Sequence, residues 1–317
     1  MSVSKLKKAL AGLKENVPLK EWTTFKIGGP ARYFLEVETK EDLIEAVKLA
    51  KENNLPFFVL GGGSNLLVSD NGFDGLVIQM QFTKYEIKDT KIIAQAGAKL
   101  NDIVNFSLEN SLSGLEWAAG IPGTIAGATR GNAAAFNGVI AENVSQVEAF
   151  DADSFEIKRF KKEDCCFRPK TSLFKQNKSL VILSVELQLL KGEKEKIKEL
   201  INKHLALRKE KHPLEFPSAG CAFENFIASP EQFLKWPKEF EKFREKGVIP
   251  IGFLIEQCGL KGKVIGAAQI SEKHANFIVN LGKAKAEEVR ELIGLAKSKV
   301  KEKFGIELKE EIQQLGF

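Results

Sequence analysis

Residues 57–68 read Phe57-Phe58-Val59-Leu60-Gly61-Gly62-Gly63-Ser64-Asn65-Leu66-Leu67-Val68: four strand-forming apolar residues, three consecutive glycines, two polar side chains and a second apolar run. Lacking a Cβ, glycine reaches φ > 0 and lets a ligand approach backbone N–H groups, so such a loop suits a phosphate. It equally suits a tight hairpin turn between its two apolar flanks. Two familiar nucleotide loops are disfavoured. A dinucleotide-binding G-x-G-x-x-G turn needs glycine where Leu66 stands and a helix next, and a Walker loop needs Gly-Lys-Ser/Thr. The run Leu66-Leu67-Val68 predicts a second strand instead.

The chain is 317 residues long, which predicts two or three domains. Hydrophobic residues make up 44% and charged residues 28%, ordinary globular values, and no apolar run approaches the ~20 residues that cross a bilayer. Residues 1–16 are lysine-rich and predict a helix with Leu6, Leu10 and Leu13 on one face, but they lack the apolar run of a signal peptide, so a cytoplasmic protein is expected. Four cysteines, the adjacent Cys165 and Cys166 and the isolated Cys221 and Cys258, give neither C-x-x-C spacing nor a disulfide framework, and no metal is expected. The net charge of +5 is spread along helices such as 191–211 and forms no basic patch interleaved with aromatics. Nucleic acid and membrane partners are therefore not expected, whereas an anionic small ligand is compatible.

Along the chain, Thr23-Thr24-Phe25-Lys26-Ile27-Gly28-Gly29-Pro30-Ala31 forms another hydroxyl- and glycine-rich loop before a strand at 32–37. Thr39 is placed to cap a helix, with Asp42 three residues on, and the first ~70 residues read as a β-α-β unit that makes parallel pairing. Short strands at 76–80 and 91–96, a helix at 100–112 and strands at 144–150, 156–160 and 180–189 follow. Between them, residues 118–135 hold almost no side chain larger than threonine, so backbone can approach a flat ligand, or other backbone, closely. A lysine-rich helix ends at His212-Pro213 and reads as a connector. Beyond it a helix at 230–246, another at 251–258, strands near Val264 and Phe277, a final helix at 284–304 and a strand-like tail make an α+β unit.

Taken in order, seven blocks resemble one family: Thr23-Thr24-Phe25-Lys26-Ile27-Gly28-Gly29-Pro30-Ala31, Gly61-Gly62-Gly63-Ser64-Asn65-Leu66-Leu67, Ala119-Gly120-Ile121-Pro122-Gly123-Thr124, Pro217-Ser218-Ala219-Gly220, Leu254-Ile255-Glu256-Gln257-Cys258-Gly259-Leu260-Lys261-Gly262, Ser271-Glu272-Lys273-His274-Ala275-Asn276-Phe277 and the tail from Gly305. The chain is similar, from about Asn16 to Gly316, to the UDP-N-acetylenolpyruvoylglucosamine reductases. With little room between Arg168 and Lys191 for an inserted substrate loop, it resembles their shorter branch. The resemblance implies an FAD-dependent, NADPH-using oxidoreductase of peptidoglycan precursor synthesis. It implies an α+β fold, an FAD-binding domain of the vanillyl-alcohol-oxidase type in two subdomains (1–70 and 71–205), a substrate domain (206–304) and a tail (305–317) returning to the active site. A monomer is expected.

Residue by residue, the resemblance places the FAD diphosphate on Gly61, Gly62, Gly63, Ser64 and Asn65, and the rest of the flavin along Ile121, Pro122, Gly123, Thr124, Gly127 and Asn132. Its catalytic trio matches Arg168, Cys221 and Glu311, and its substrate-holding residues match Lys211, Asn225 and Gln257. The roles follow from the reaction. Hydride addition to the enolpyruvyl methylene builds negative charge on the adjacent carboxylate, which the permanently cationic Arg168 and a protonated Glu311 would stabilise. Cys221 would donate the final proton to the ether-bearing carbon.

Three departures stand out. Cys221 replaces the family's serine; with a free pKa of ~8.5 a thiol is a stronger acid than an alcohol but is open to oxidation. The usual Tyr-Arg-x-Ser motif reads Phe167-Arg168-Pro169-Lys170-Thr171-Ser172, two residues longer. Ala126 and Arg130 stand where glycine and a larger apolar residue are expected. Cys165, Cys166 and Cys258 are expected to be structural, His274 to serve as a structural hydrogen-bonding residue, and His204 and His212 to sit on a helix surface. No histidine precedes residue 204, which excludes histidyl attachment of the flavin in the N-terminal half and predicts noncovalent FAD. An FAD oxidase using O₂ and a nonredox nucleotide-sugar-binding protein are the competing readings.

Overall fold

The computed structural model describes residues 6, 10–233 and 236–317. Two compact units are formed, each from several stretches of chain.

The first unit comprises Met1–Val17, Ala31–Gly63 and Phe73–Glu210. One sheet orders its strands Lys14–Pro18, Pro30–Val37, Phe73–Met80, Phe57–Leu60. Pro30–Val37 and Phe57–Leu60 both run parallel to Phe73–Met80, which separates them. The β-α-β reading therefore holds with a third strand inserted between its two members. The crossover helix Lys40–Glu52 starts where Thr39 Oγ1 accepts the Asp42 N–H at 3.1 Å, and it buries Leu43, Ala46, Val47 and Ala50 against this sheet's core. The predicted N-terminal helix lies largely outside the described residues. Leu6, Leu10 and Leu13 are buried in the same core, but Lys14–Asn16 belong to a strand.

The second sheet of this unit is antiparallel: Glu156–Lys161, Val144–Asp151, Leu180–Gln188, Lys91–Gln95, Tyr85–Lys88. Alternation buries Val147, Ala149, Val185 and Leu187 on its covered face. The helix expected at 100–112 stops at Glu109, because Asn110 turns its side-chain and backbone N–H groups to the Phe106 carbonyl.

The second unit comprises Pro18–Pro30, Ser64–Gly72 and Lys211–Phe317. Its antiparallel sheet orders Ser218–Cys221, Phe277–Asn280, Ala268–Ile270, Val264–Ile265. Val289, Leu292, Ile293, Ala296 and Val300 of helix Ala286–Phe304 join Ile270 and Ile278 in its core. The helix expected at 230–246 is broken: Pro230–Phe233 is one turn and Lys238–Phe243 is 3₁₀, entered after Pro237, which has no N–H to donate. Residues 234 and 235 lie outside the described set.

Leu66–Val68 is a strand, as its sequence predicts, but its partner is the tail strand Gln313–Leu315, in parallel. Phe57–Leu60 and Leu66–Val68 thus belong to different sheets, and the hairpin reading of the triple glycine does not hold.

Candidate active site

In the first unit the two glycine-rich stretches meet. A Cβ on Gly61 would lie 2.7 Å from Thr124 Oγ1, and one on Gly62 would lie 2.6 Å from Gly123 Cα, so alanine at either position would collide with the facing loop. Thr124 is buried and caps the helix Ile125–Gly131 by accepting the Gly127 N–H at 3.2 Å. Backbone bonds from Leu100 to Gly123 and from Ile125 to Ala98 fasten this stretch to the unit's core. Gly62, Pro122 and Gly127 remain exposed along the joined surface. Gly127 has only its own cap nearby and Gly131 has nothing within 4 Å of a Cβ, so both face open space.

The helix ends on Asn132, left-handed at φ 45°. Its side-chain N–H donates to the Arg168 carbonyl at 2.8 Å, while its Oδ1 is buried without a protein partner. Arg168 and Thr171 exchange backbone hydrogen bonds of 3.1 and 3.0 Å, with Pro169 and Lys170 at the tip. Residues 168–171 thereby form a tight turn, and Arg168 stays exposed. Ser172, fully buried, donates its hydroxyl to the Arg130 carbonyl at 2.7 Å; it ties the turn to the end of the glycine-rich helix. Burial lowers the pKa of Arg130.

The lysine-rich helix Lys194–Lys211 is more than a connector. Arg208, 7% exposed, donates Nε–H to the Ala119 carbonyl at 2.7 Å, and its guanidinium lies over the Phe136 ring. His204 stacks on the same ring and places Nδ1 2.9 Å from the Glu116 carbonyl. His204 is thus half-buried packing against residues 116–136, not a surface histidine, and Arg208 is a missed anchor that helical periodicity on the buried Ile197 and Ile201 face would have located.

In the second unit Cys221 is half-buried and pairs with Phe277. The chain continues past it as an extended segment. Glu311 N–H donates to the Ala222 carbonyl at 2.9 Å, Phe223 bridges Glu310, and Glu224 N–H donates to the Lys309 carbonyl at 2.9 Å. The tail therefore runs antiparallel beside the cysteine strand and sets Glu311 next to it. Asn65 holds the tail from the other side. Its Nδ2 donates to the Glu311 carbonyl at 3.1 Å and its carbonyl accepts from Gln313, leaving its Oδ1 buried without a protein partner. Asn225 is exposed and its Oδ1 accepts the Ile251 N–H at 3.2 Å, at the start of helix Ile251–Gln257. Gln257 closes that helix, and Lys211 is the exposed last residue of the helix Lys194–Lys211. His274 is half-buried; burial lowers its pKa, and its Nδ1 accepts the Asn276 N–H at 3.3 Å, the structural role expected of it. His212 packs against the rings of His274 and Phe277, away from the surface role expected.

Among the described residues no helix is long and apolar enough to cross a membrane. Residues 31–157 match an FAD binding domain family, and residues 212–315 match the family described as UDP-N-acetylenolpyruvoylglucosamine reductase, C-terminal domain. An FAD-binding domain joined in one chain to a reductase C-terminal domain defines the class as a flavin-dependent oxidoreductase. The chain is 37% identical over 305 residues to the UDP-N-acetylenolpyruvoylglucosamine reductase of Clostridium novyi, covering 96% of this chain and 92% of that one. It is 41% identical over 302 residues to the corresponding enzyme of Caldicellulosiruptor bescii, covering 94% and 89%. The crystal structure of UDP-N-acetylenolpyruvylglucosamine reductase from Thermus caldophilus superposes with a TM-score of 0.76 at 33% identity, over 96% of this chain and all of that one. The chain belongs to the UDP-N-acetylenolpyruvoylglucosamine reductase family.

Proposed function

We propose that this enzyme reduces the enolpyruvyl ether of its UDP-N-acetylglucosamine substrate to UDP-N-acetylmuramate with Arg168, Cys221 and Glu311 as catalytic groups and Lys211, Asn225 and Gln257 as substrate contacts. FAD is its cofactor and NADPH its cosubstrate. The observation that carries the reading is the backbone bond from Glu311 to Ala222, which holds the carboxyl-bearing tail beside the thiol-bearing strand.

The residues present fit the cofactor. The glycine-rich loop at Gly61, Gly62 and Gly63 packs on Gly123 and Thr124 and leaves Gly62 exposed without a side chain, which suits backbone donors that meet a diphosphate. Asn132 and Asn65 each offer a buried acceptor oxygen that a ligand N–H or O–H satisfies. When bound, FAD supplies the hydride chemistry between NADPH and the enolpyruvyl methylene. Arg168 is suited to hold the substrate carboxylate as a planar, permanently charged fork and to stabilise the charge that builds there. Glu311, held on the tail by its backbone bond to Ala222, is the carboxyl group proposed to act beside the thiol. Cys221 releases its thiol proton to the ether-bearing carbon, ending as thiolate and recovering a proton from solvent.

Residues 1–70 and 71–205 serve as the two FAD-binding subdomains, 206–304 as the substrate domain, and 305–317 as the returning tail. The enzyme acts as a cytoplasmic monomer without nucleic acid or membrane partners, and its FAD is held noncovalently. The purified protein is expected to be yellow, to be bleached by NADPH without oxygen, and to recover its colour when the enolpyruvyl sugar nucleotide is added. Arg168→Ala and Glu311→Gln should slow the recovery far more than the bleaching. Rapid recovery with air alone and none with the sugar nucleotide would favour an oxidase.

A further inference from the structure

We infer that Asn276 is the positioning residue that fixes the proton donor Cys221 and the carboxyl of Glu311 relative to one another. The inference rests on the catalytic reading of those two residues given above.

Asn276 is 2% exposed and makes three hydrogen bonds to the two residues that follow Cys221. Its carbonyl accepts the Ala222 N–H at 2.7 Å. Its side-chain Oδ1 accepts the Phe223 N–H at 3.0 Å and its Nδ2 donates to the Phe223 carbonyl at 2.8 Å. The amide thus imitates a strand partner: it presents one acceptor and one donor to a single residue's backbone, a pairing that neither a carboxylate nor an aliphatic side chain reproduces. Here the regular ladder needs such a substitute. Pairing between Ser218–Cys221 and Phe277–Asn280 carries an irregularity between Ser218 and Cys221, and it ends at the Cys221–Phe277 pair.

The other edge of the same segment carries the tail. The Ala222 carbonyl accepts from Glu311 N–H, and Phe223 bridges Glu310. Asn276 therefore grips one edge of the segment that carries Cys221 at its start and the Glu311 tail on its other edge, so loosening this one clamp displaces both groups. Asn276 is itself seated by its backbone N–H on His274 Nδ1. Its side chain gives one donor and one acceptor to Phe223, so its contribution runs through the backbone of Cys221's neighbours. A buried, fully oriented amide with such partners holds geometry, and misplacement of a reacting group by about 1 Å costs on the order of 10²-fold in rate.

The test uses the FAD-loaded enzyme, with two rates read separately under anaerobic conditions: bleaching by NADPH, and formation of product from the enolpyruvyl sugar nucleotide by enzyme reduced beforehand. Asn276→Ala is expected to bleach within about twofold of wild type while product formation falls at least tenfold. Asn276→Asp gives an independent reading if the alanine variant does not yield yellow protein. As a carboxylate it cannot donate to the Phe223 carbonyl; protonated, it can. Its product-forming rate relative to wild type should therefore rise as pH falls from 8 to 6. Cys221→Ala is measured alongside. If it slows product formation while Asn276→Ala does not, or if the Asn276→Asp ratio is independent of pH, the positioning role is overturned. If Cys221→Ala forms product at the wild-type rate, the catalytic reading fails, and the positioning role with it.

Discussion

The side-chain amide of Asn132 donates a 2.8 Å hydrogen bond to the backbone carbonyl of Arg168. One residue thus ends the glycine-rich helix in a left-handed conformation and anchors the turn that presents the arginine. Asn132→Gly keeps the left-handed backbone and loses the tie; Asn132→Ala loses both. Both variants should therefore slow flavin reoxidation by substrate, by about tenfold. Thermal unfolding should separate them, with the alanine variant less stable than the glycine variant by about 1–2 kcal/mol from the left-handed backbone alone.

Gly62 and Gly131 make a matched pair. At Gly62 a methyl group would meet Gly123 Cα at 2.6 Å, whereas at Gly131 it would meet nothing within 4 Å. Gly62→Ala should cost about 1–3 kcal/mol by overpacking and reduce FAD retention on gel filtration. Gly131→Ala should leave the melting temperature unchanged or raise it, since alanine is the better helix former by about 1 kcal/mol. Loss of FAD affinity in Gly131→Ala at unchanged stability would mark its open space as ligand space.

Much of this was legible in the sequence, and the misses have physical causes. The Thr39 cap, the crossover helix and the long strand of the antiparallel sheet follow from hydroxyl placement and apolar periodicity, which act over a few residues. The partner of Leu66–Val68 could not be read that way, because it arrives about 245 residues later as the tail. The same holds for Asn276. Its local sequence says only that a polar residue follows His274 and Ala275; its function as a substitute strand partner exists only once Phe223 is laid against it. Arg168 illustrates the opposite case. The motif flags the residue, but only the folded chain shows Arg168 paired with Thr171 across a tight turn and Ser172 bonded to the Arg130 carbonyl behind it.

Cys165 and Cys166 should differ sharply towards thiol reagents. Cys165 is fully buried, burial above all pushes its thiol up to about 12, and its Sγ–H donates to the Lys161 carbonyl at 3.2 Å. Cys166 is exposed. In the native protein at pH 8, mass spectrometry after alkylation should find Cys166 modified and Cys165 protected. Because the folded pKa is raised, the folded state keeps a proton that the unfolded chain loses. This contribution to stability is complete below the ordinary thiol value near 9 and is lost as pH rises towards about 12. Cys165→Ala should flatten that alkaline fall in urea unfolding.

The proton-donor assignment is tested most directly by single-turnover measurement of anaerobically reduced enzyme mixed with the enolpyruvyl sugar nucleotide, following flavin colour and product together. Cys221→Ser should form product within about tenfold of wild type. Cys221→Ala should regain its flavin colour while product formation falls by about 10²-fold or more, the scale of a lost general acid. Product formation by Cys221→Ala at the wild-type rate would contradict the account.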